Sequence, residues 1–122
     1  MRKNKRIISG VITLSGAAAD NDVLTIPSRF VGLLKGLRII NVDAVNERTL
    51  TVNDVFTPDS SHGVASPVSQ TIPRYKKVAA VSSDFGLTTD EGDCICKLLG
   101  LFRLSLDVAD ADVSVAYTIE LQ

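Results

Sequence analysis

The chain contains no tryptophan, one histidine, two cysteines and one methionine among its 122 residues. Two tyrosines and four phenylalanines make up its whole aromatic set. Proteins that bind single-stranded nucleic acid by stacking, like many that bind sugars, use platforms of such rings. The composition therefore argues against recognition by stacking, while recognition by hydrogen bonds stays open.

The single histidine argues against hydrolytic catalysis. His62 lies in a stretch rich in Ser, Pro and Gly, with Ser61 and Asp59 beside it. A Ser–His–Asp site needs its nucleophile, base and orienting carboxylate brought together in space, and adjacency in one loop does not supply that geometry. We interpret His62 as an exposed loop residue, and we predict no catalytic residue and no enzyme activity.

The two cysteines, Cys94 and Cys96, form no framework for disulfides or metal. Two residues apart on a strand, they share one face, which is poor geometry for a bond between them. A structural zinc site uses four ligands, usually in two separated pairs, and the second pair is missing. We predict free thiols in or near the core, no metal, no cofactor and folding in a reducing compartment.

Other ligand-binding motifs are also missing. The glycines are too widely spaced for a phosphate-binding loop and no Lys-Ser/Thr follows them. Acidic residues gather near two turns, as in calcium sites, but their spacing fits no calcium loop, and we predict solvated turns. The residues concerned are Asp20, Asn21 and Asp22, and then Asp107, Asp110 and Asp112.

Charge is nearly balanced, with a net charge of −1, but it is unevenly placed. Four of the thirteen basic residues fall in the first six positions and form a basic N-terminal arm, which favours contact with an acidic neighbouring subunit or with nucleic acid. A second basic group lies on a predicted strand. The candidates for partner contact are therefore Arg2, Lys3, Lys5, Arg6, Arg74, Lys76 and Lys77.

The basic start, followed by apolar and then small residues, imitates a signal peptide. Ser9, Gly10 and Thr13 interrupt the apolar part, so we predict a strand there instead. No segment reaches the roughly 18 uninterrupted apolar residues of a membrane helix, and we expect no membrane partner.

Strict alternation is the clearest pattern that is present. Successive side chains of a strand face opposite sides, so residues 113–121 predict a strand with one apolar and one polar face. Residues 93–108 alternate in a similar way, and a short polar turn separates the two segments. We predict that they form a long closing hairpin at the centre of the sheet. The apolar face of its last strand comprises Val113, Val115, Tyr117, Ile119 and Leu121.

Shorter patterns predict the remaining elements. Residues 7–14 and 22–26 predict an opening hairpin, each segment being apolar and bounded by turn residues. Residues 28–36 predict a loop or short helical turn, followed by a strand over residues 37–43. The next strand begins near residue 46. Its predicted inward residues are Leu50 and Val52, with Phe56 as a further candidate, and its predicted outward residues are Thr49, Thr51 and Asn53.

The middle of the chain is the least regular. Residues 57–73 are rich in turn residues, and Pro67 and Pro73 permit only an edge strand or an extended loop there. A strand is predicted over residues 74–81 and a second loop over residues 82–92. The chain then has seven or eight strands and at most one short helix. We predict one all-β domain spanning residues 1–122, an antiparallel β-sandwich or jelly roll.

Both ends of the chain resemble small all-β virion proteins of tailed bacteriophages, of the capsid decoration or cement type. The residues that carry the resemblance are GVITLSG at 10–16, the acidic turn with DVLTI at 22–26, and DVSVAYTIELQ at 112–122. The resemblance implies a non-enzymatic protein, a symmetric homo-oligomer that binds and stabilises a capsid shell. Its partners would be the major capsid protein or other virion subunits, with nucleic acid only at the basic arm.

The resemblance places the protein in the virion, after assembly in the host cytoplasm. The alternative hypothesis is a β-sandwich adhesin or ligand-binding module on a phage tail or cell surface. Such a module would use the loops predicted over residues 57–73 and 82–92.

Overall fold

A computed structural model describes residues 6–14, 20–57, 68–90, 92–107 and 113–122. These ranges contain nine β-strands and no helix. The strands are β1 Arg6–Leu14, β2 Asp20–Thr25, β3 Gly32–Asn41, β4 Arg48–Phe56, β5 Gln70–Ala79, β6 Ser83–Thr88, β7 Cys96–Leu98, β8 Leu101–Leu106 and β9 Val113–Leu121.

The strands form two antiparallel sheets. The first has the order β1-β9-β3-β6, with the short β7 also paired to β3, and the second has the order β2-β8-β4-β5. β1 and β2 lie in opposite sheets, as do β8 and β9, whereas β4 and β5 follow each other in the chain and pair in the second sheet. With β7 set aside, this interleaving of eight strands is that of a jelly roll. The prediction of an all-β sandwich or jelly roll is confirmed.

The core lies between the two sheets. β9 contributes Val113, Val115, Ile119 and Leu121, each at most 2% exposed, which confirms the predicted apolar face of this strand. The ring of Tyr117, on the same face, meets Phe102 of β8 edge-on, with 5.4 Å between ring centroids. Aromatic pairs in this geometry stabilise a core beyond their buried area.

Both predicted hairpins are wrong. β1 pairs with β9 and β2 pairs with β8, so the opening segments lie in different sheets. β9 pairs with β1 and β3, whereas β8 pairs with β2 and β4, so the closing segments are also separated. Alternation reports which face of a strand is buried, but it does not report which neighbour the strand pairs with.

Three further boundaries differ from the prediction. β5 covers Gln70–Ala79, so it begins four residues before the strand predicted over residues 74–81. β3 begins at Gly32, not at residue 37, because residues 32–34 pair with both β7 and β9. β6 occupies residues 83–88, most of the loop predicted over residues 82–92. Asp84 and Gly86 have low β propensity, yet both face outward there, while Phe85 and Leu87 are half-buried.

The segment over residues 93–108, predicted as one strand, is broken at Leu99 and Gly100. β7 before the break belongs to the first sheet and β8 after it belongs to the second. The amides of Leu99 and Gly100 donate to the carboxylate of Asp54 at 3.0 and 2.8 Å. A Cβ on Gly100 would meet the backbone carbonyl of Val55, so this crossing requires glycine.

The prediction for β4 fails at Asn53. Leu50 and Val52 are buried as expected, but Asn53 is only 5% exposed, and its Nδ2 donates to Ser105 Oγ at 2.9 Å. The nearby register shift lies on β5, where Arg74 is the extra residue, and the pairing of β4 with β8 is regular. Asn53 therefore keeps its outward parity but is covered on the outer face of the second sheet, because β4 lies between β5 and β8. On β5, Pro73 lies in an edge strand, as its missing N–H led us to predict.

Candidate interaction surfaces

β1 forms one edge of the first sheet. It pairs with β9 on one side, and no other described strand pairs with its outer side. Its solvent-facing row includes Ile7, 66% exposed, and Val11, 72% exposed. The nine-residue pairing with β9 has no register shift. A long, regular edge strand with exposed apolar side chains is a template for pairing with another chain.

The basic arm lies at the start of this edge. Arg6 is the first residue of β1 and is exposed. Arg2, Lys3 and Lys5 lie outside the described residues. The structure therefore places Arg6 on the same strand as Ile7 and Val11, so one positive charge adjoins the apolar edge.

The predicted contact residues of β5 have different surroundings. Arg74 NH2 lies 3.0 Å from Asp54 Oδ2, and the Asp54 side chain is fully buried. Asp54 thus accepts hydrogen bonds from Arg74, Leu99 and Gly100 at once. Its carboxylate ties β4 to β5 and to the crossing between the sheets, so Arg74 has a clear role within the fold.

Lys77 is also engaged within the fold. Its Nζ lies 4.1 Å from the ring centroid of Phe85, a cation–π contact that joins β5 of the second sheet to β6 of the first. Lys76, the neighbouring residue, is exposed. Of the three basic residues on β5, Lys76 is the one placed most freely for a partner.

A buried polar cluster closes the end of the sandwich where β1 ends and β9 begins. Arg48 is fully buried, with Asp43 at 3.8 Å and Asp107 at 3.6 Å. Asn41 Nδ2 donates to the carbonyl oxygens of Ala79 and Ala80. Amides of Val45 and Asn46 donate to Asp43 Oδ1 and are the main cause that lowers the pKa of Asp43. The cluster places two carboxylates beside the buried charge of Arg48 and hydrogen-bonds Asn41 and Asp43 to the backbone at this end of the sandwich.

An open groove of about 750 Å³ lies at the opposite end of the sandwich. Its apolar wall includes Ile26, Phe30, Phe56 and Leu99, and Arg103 lies at its border. Phe56, predicted to face inward, is half-buried in this wall. Arg103 Nε also bonds the carboxylate of Asp22, so its charge is already balanced.

The two thiols lie in the partly buried position that the sequence predicts. Cys94 and Cys96 are both free and of intermediate exposure. Burial raises the pKa of Cys96 to about 12, so this thiol stays protonated at neutral pH. Among the described residues, no group of three or more His, Cys, Asp and Glu side chains is placed to hold a metal ion.

Of the acidic residues near the predicted turns, two have partners within the fold. Asp22 binds Arg103, and this contact is the main cause that lowers the pKa of Asp22. Asp107 lies beside Arg48. Asp110, Asp112 and His62 lie outside the described residues. In the ranges described, the structure has no helix long and apolar enough to cross a membrane.

Sequence reasoning missed the two features that define these surfaces. The exposure of Ile7 and Val11 depends on β1 being an edge, which the mistaken opening hairpin concealed. The role of Asp54 was not predicted, because nothing in the sequence around this acidic residue shows that the backbone of Gly100 contacts it in the folded protein.

No family model, curated protein or solved structure matches this chain. The fold and its surfaces define a jelly-roll β-sandwich with an apolar edge strand whose outer side no other described strand covers.

Proposed function

We propose that this protein is a non-enzymatic structural virion protein that binds and stabilises a capsid shell, as a decoration, cement or minor capsid protein. The observation that carries the proposal is the jelly-roll strand order, an architecture that recurs in viral capsid domains. Because one fold hosts many functions, the surfaces must support the proposal as well.

The edge of β1 supports it. Ile7 and Val11 expose β-branched apolar side chains beside backbone groups that no described strand pairs with, and such an edge gains stability when another strand covers it. Arg6, with Arg2, Lys3 and Lys5 before it in the sequence, adds attraction toward an acidic surface. Function then lies in the edges and in the basic arm.

Co-sedimentation with capsid shells purified from particles that lack this protein tests the proposal. We expect saturable binding, and removal of residues 1–6 should weaken it more at low salt than at high salt, because charge attraction is screened by salt. Protein that stays in the supernatant at every concentration contradicts the proposal. Unchanged binding after the truncation would show that the basic arm does not contribute to shell binding.

The end groove supports one alternative, a ligand-binding module. Jelly rolls also occur in lectins, and a groove of about 750 Å³ has room for a small ligand. Screening the protein against glycan arrays, with Leu99→Asp as the groove variant, tests this alternative. Loss of a specific glycan signal in the variant would favour it over shell binding.

A further inference from the structure

Five of the described strands form edges of the two sheets, and four of them carry features that hinder pairing with another chain. β7, which pairs only with β3, has three residues. β2 has six residues, a register shift between Asp22 and Leu24, and two exposed aspartates. β5 contains Pro73 and its own register shift, and it presents lysines. β6 has six residues, including the charged Asp84. Short length, charge, proline and bulges are the devices by which proteins block edge pairing.

β1 has none of these devices between Ile7 and Leu14. It is nine residues long, its pairing with β9 is regular, and its solvent-facing row within those bounds is uncharged. The contrast with the other four described edge strands marks β1 as the edge suited to receive a strand.

We infer that the free edge of β1 pairs antiparallel with the β1 edge of a second copy of this chain, about a two-fold axis at Ser9. This deepens the proposed function by naming one partner, and it rests on that function only for its role in a shell. Two copies joined in this way extend the first sheet without interruption across both subunits.

The register follows from the exposed side chains. In a two-fold antiparallel pair centred on Ser9, residue 7 of one copy stands opposite residue 11 of the other. Ile7 then meets the second copy's Val11 twice, once on each side of the axis, and Ser9 meets its own counterpart. A centre at Gly10 would instead place Ile7 opposite Thr13. The Ser9 register therefore covers both exposed apolar residues with β-branched partners.

Charge complementarity favours a second copy as the occupant. In this register Arg6 of one copy stands opposite Ile12 of the other, near the end where β1 stops and β2 begins. Arg6 has the parity of the inward row of β1, so it points toward the side of the second sheet. The edge of that sheet carries the exposed Asp20 and Asp22. Asp22 is already bound to Arg103, so the exposed Asp20 is the acidic side chain at this end that is available to the second copy's Arg6.

Sedimentation velocity of the whole protein, from about 1 µM to about 200 µM, tests the inference. We expect wild type to form a dimer, and Val11→Lys to weaken it at least about tenfold, because lysine would face the apolar Ile7. The matched control is Val78→Lys, which places the same substitution on the exposed edge of β5 and should leave the dimer unchanged. Wild-type protein that stays monomeric throughout overturns the inference, as does a Val11→Lys dimer as stable as wild type.

Charge reversal tests the occupant and its orientation. Arg6→Asp should weaken the dimer, and Arg6→Asp combined with Asp20→Arg should restore it in part. Failure of the double substitution to restore any affinity contradicts the assigned orientation.

Cross-linking tests the register, since Ser9→Cys should form a disulfide-linked dimer faster than Thr13→Cys. Equal rates for the two cysteine variants overturn the axis at Ser9.

The outcomes separate this inference from the proposed function. A β1-linked dimer that does not bind capsid shells supports the inference and contradicts the shell-binding role. A protein that binds shells but shows no dimer at any concentration overturns the inference and leaves the shell role standing.

Discussion

The phenol oxygen of Tyr117 lies over Gly10, 2.5 Å from where a Cβ on that glycine would stand. Tyr117 reaches this position from β9 while its ring rests edge-on against Phe102, so three strands of the two sheets meet at one contact. The missing side chain on β1 is therefore the space into which the tyrosine extends.

Gly10→Ala should destabilise the fold by about 1–2 kcal/mol, because the ring must shift against Phe102 to admit a methyl group. Gly86→Ala is the matched control, since a Cβ there meets nothing within 4 Å. Alanine also costs less backbone entropy than glycine in a strand, so the control should be neutral or slightly stabilising. Urea unfolding of both variants measures the difference, and equal midpoints would contradict the role assigned to Gly10.

Asp54→Asn should destabilise the protein by about 2–4 kcal/mol, because it leaves Arg74 and one backbone amide with weaker partners in a buried site. The exposed pair of Arg38 and Asp84, joined at 2.5 Å, supplies the control. Asp84→Asn should cost much less, since water replaces its interactions. If the two substitutions shift the urea midpoint equally, the carboxylate of Asp54 does not hold the crossing at Leu99 and Gly100.

Acid should remove the stability that Asp43 provides. The amides of Val45 and Asn46 hold the pKa of Asp43 below its usual value of 3.8. A carboxyl whose folded pKa is depressed stabilises the fold above its unfolded pKa, and that stability is lost as pH falls through the folded pKa. The free energies of unfolding of wild type and Asp43→Asn should therefore differ at neutral pH and converge below about pH 4. A gap that stays constant across this range would contradict the assignment.

Cys96 should react slowly while the protein is folded. With its pKa raised to about 12 from 9.0, only about one thiol in ten thousand is ionised at about pH 8, against about one in ten when unfolded. Alkylation of Cys96 in the wild-type protein, followed at this site by peptide mass mapping, should be about a thousandfold slower without urea than in urea. The same raised pKa lowers stability as pH rises from about 9 toward about 12, because the unfolded chain then loses the proton first. Equal alkylation rates would show that burial does not suppress the thiolate.

The sequence predicted the buried faces well and the pairing of strands badly. Alternation identified the apolar row of β9 from Val113 to Leu121, because burial on one face is a local property with period two. The partners of β9 depend on which sheet each strand joins, and that follows from contacts between residues far apart in the chain. The same limit concealed the free edge of β1, because the predicted hairpin covered it.

Asn53 and Gly100 show a second limit. Asn53 keeps its outward parity yet is buried, because β4 lies between β5 and β8, and no pattern within β4 predicts which strands flank it. Gly100 divides what looks like a single strand, because its closeness to Val55 and Asp54 exists only after the sheets have packed. Arg74 likewise looked like a free surface charge until Asp54 was placed beside it.

The most direct test of the shell-binding role is electron cryomicroscopy of capsid shells saturated with this protein, compared with shells that lack it. We expect added density the size of one jelly-roll domain at fixed symmetry positions, with the same number of copies at each equivalent site. Shells that show no ordered added density at saturating protein would contradict it.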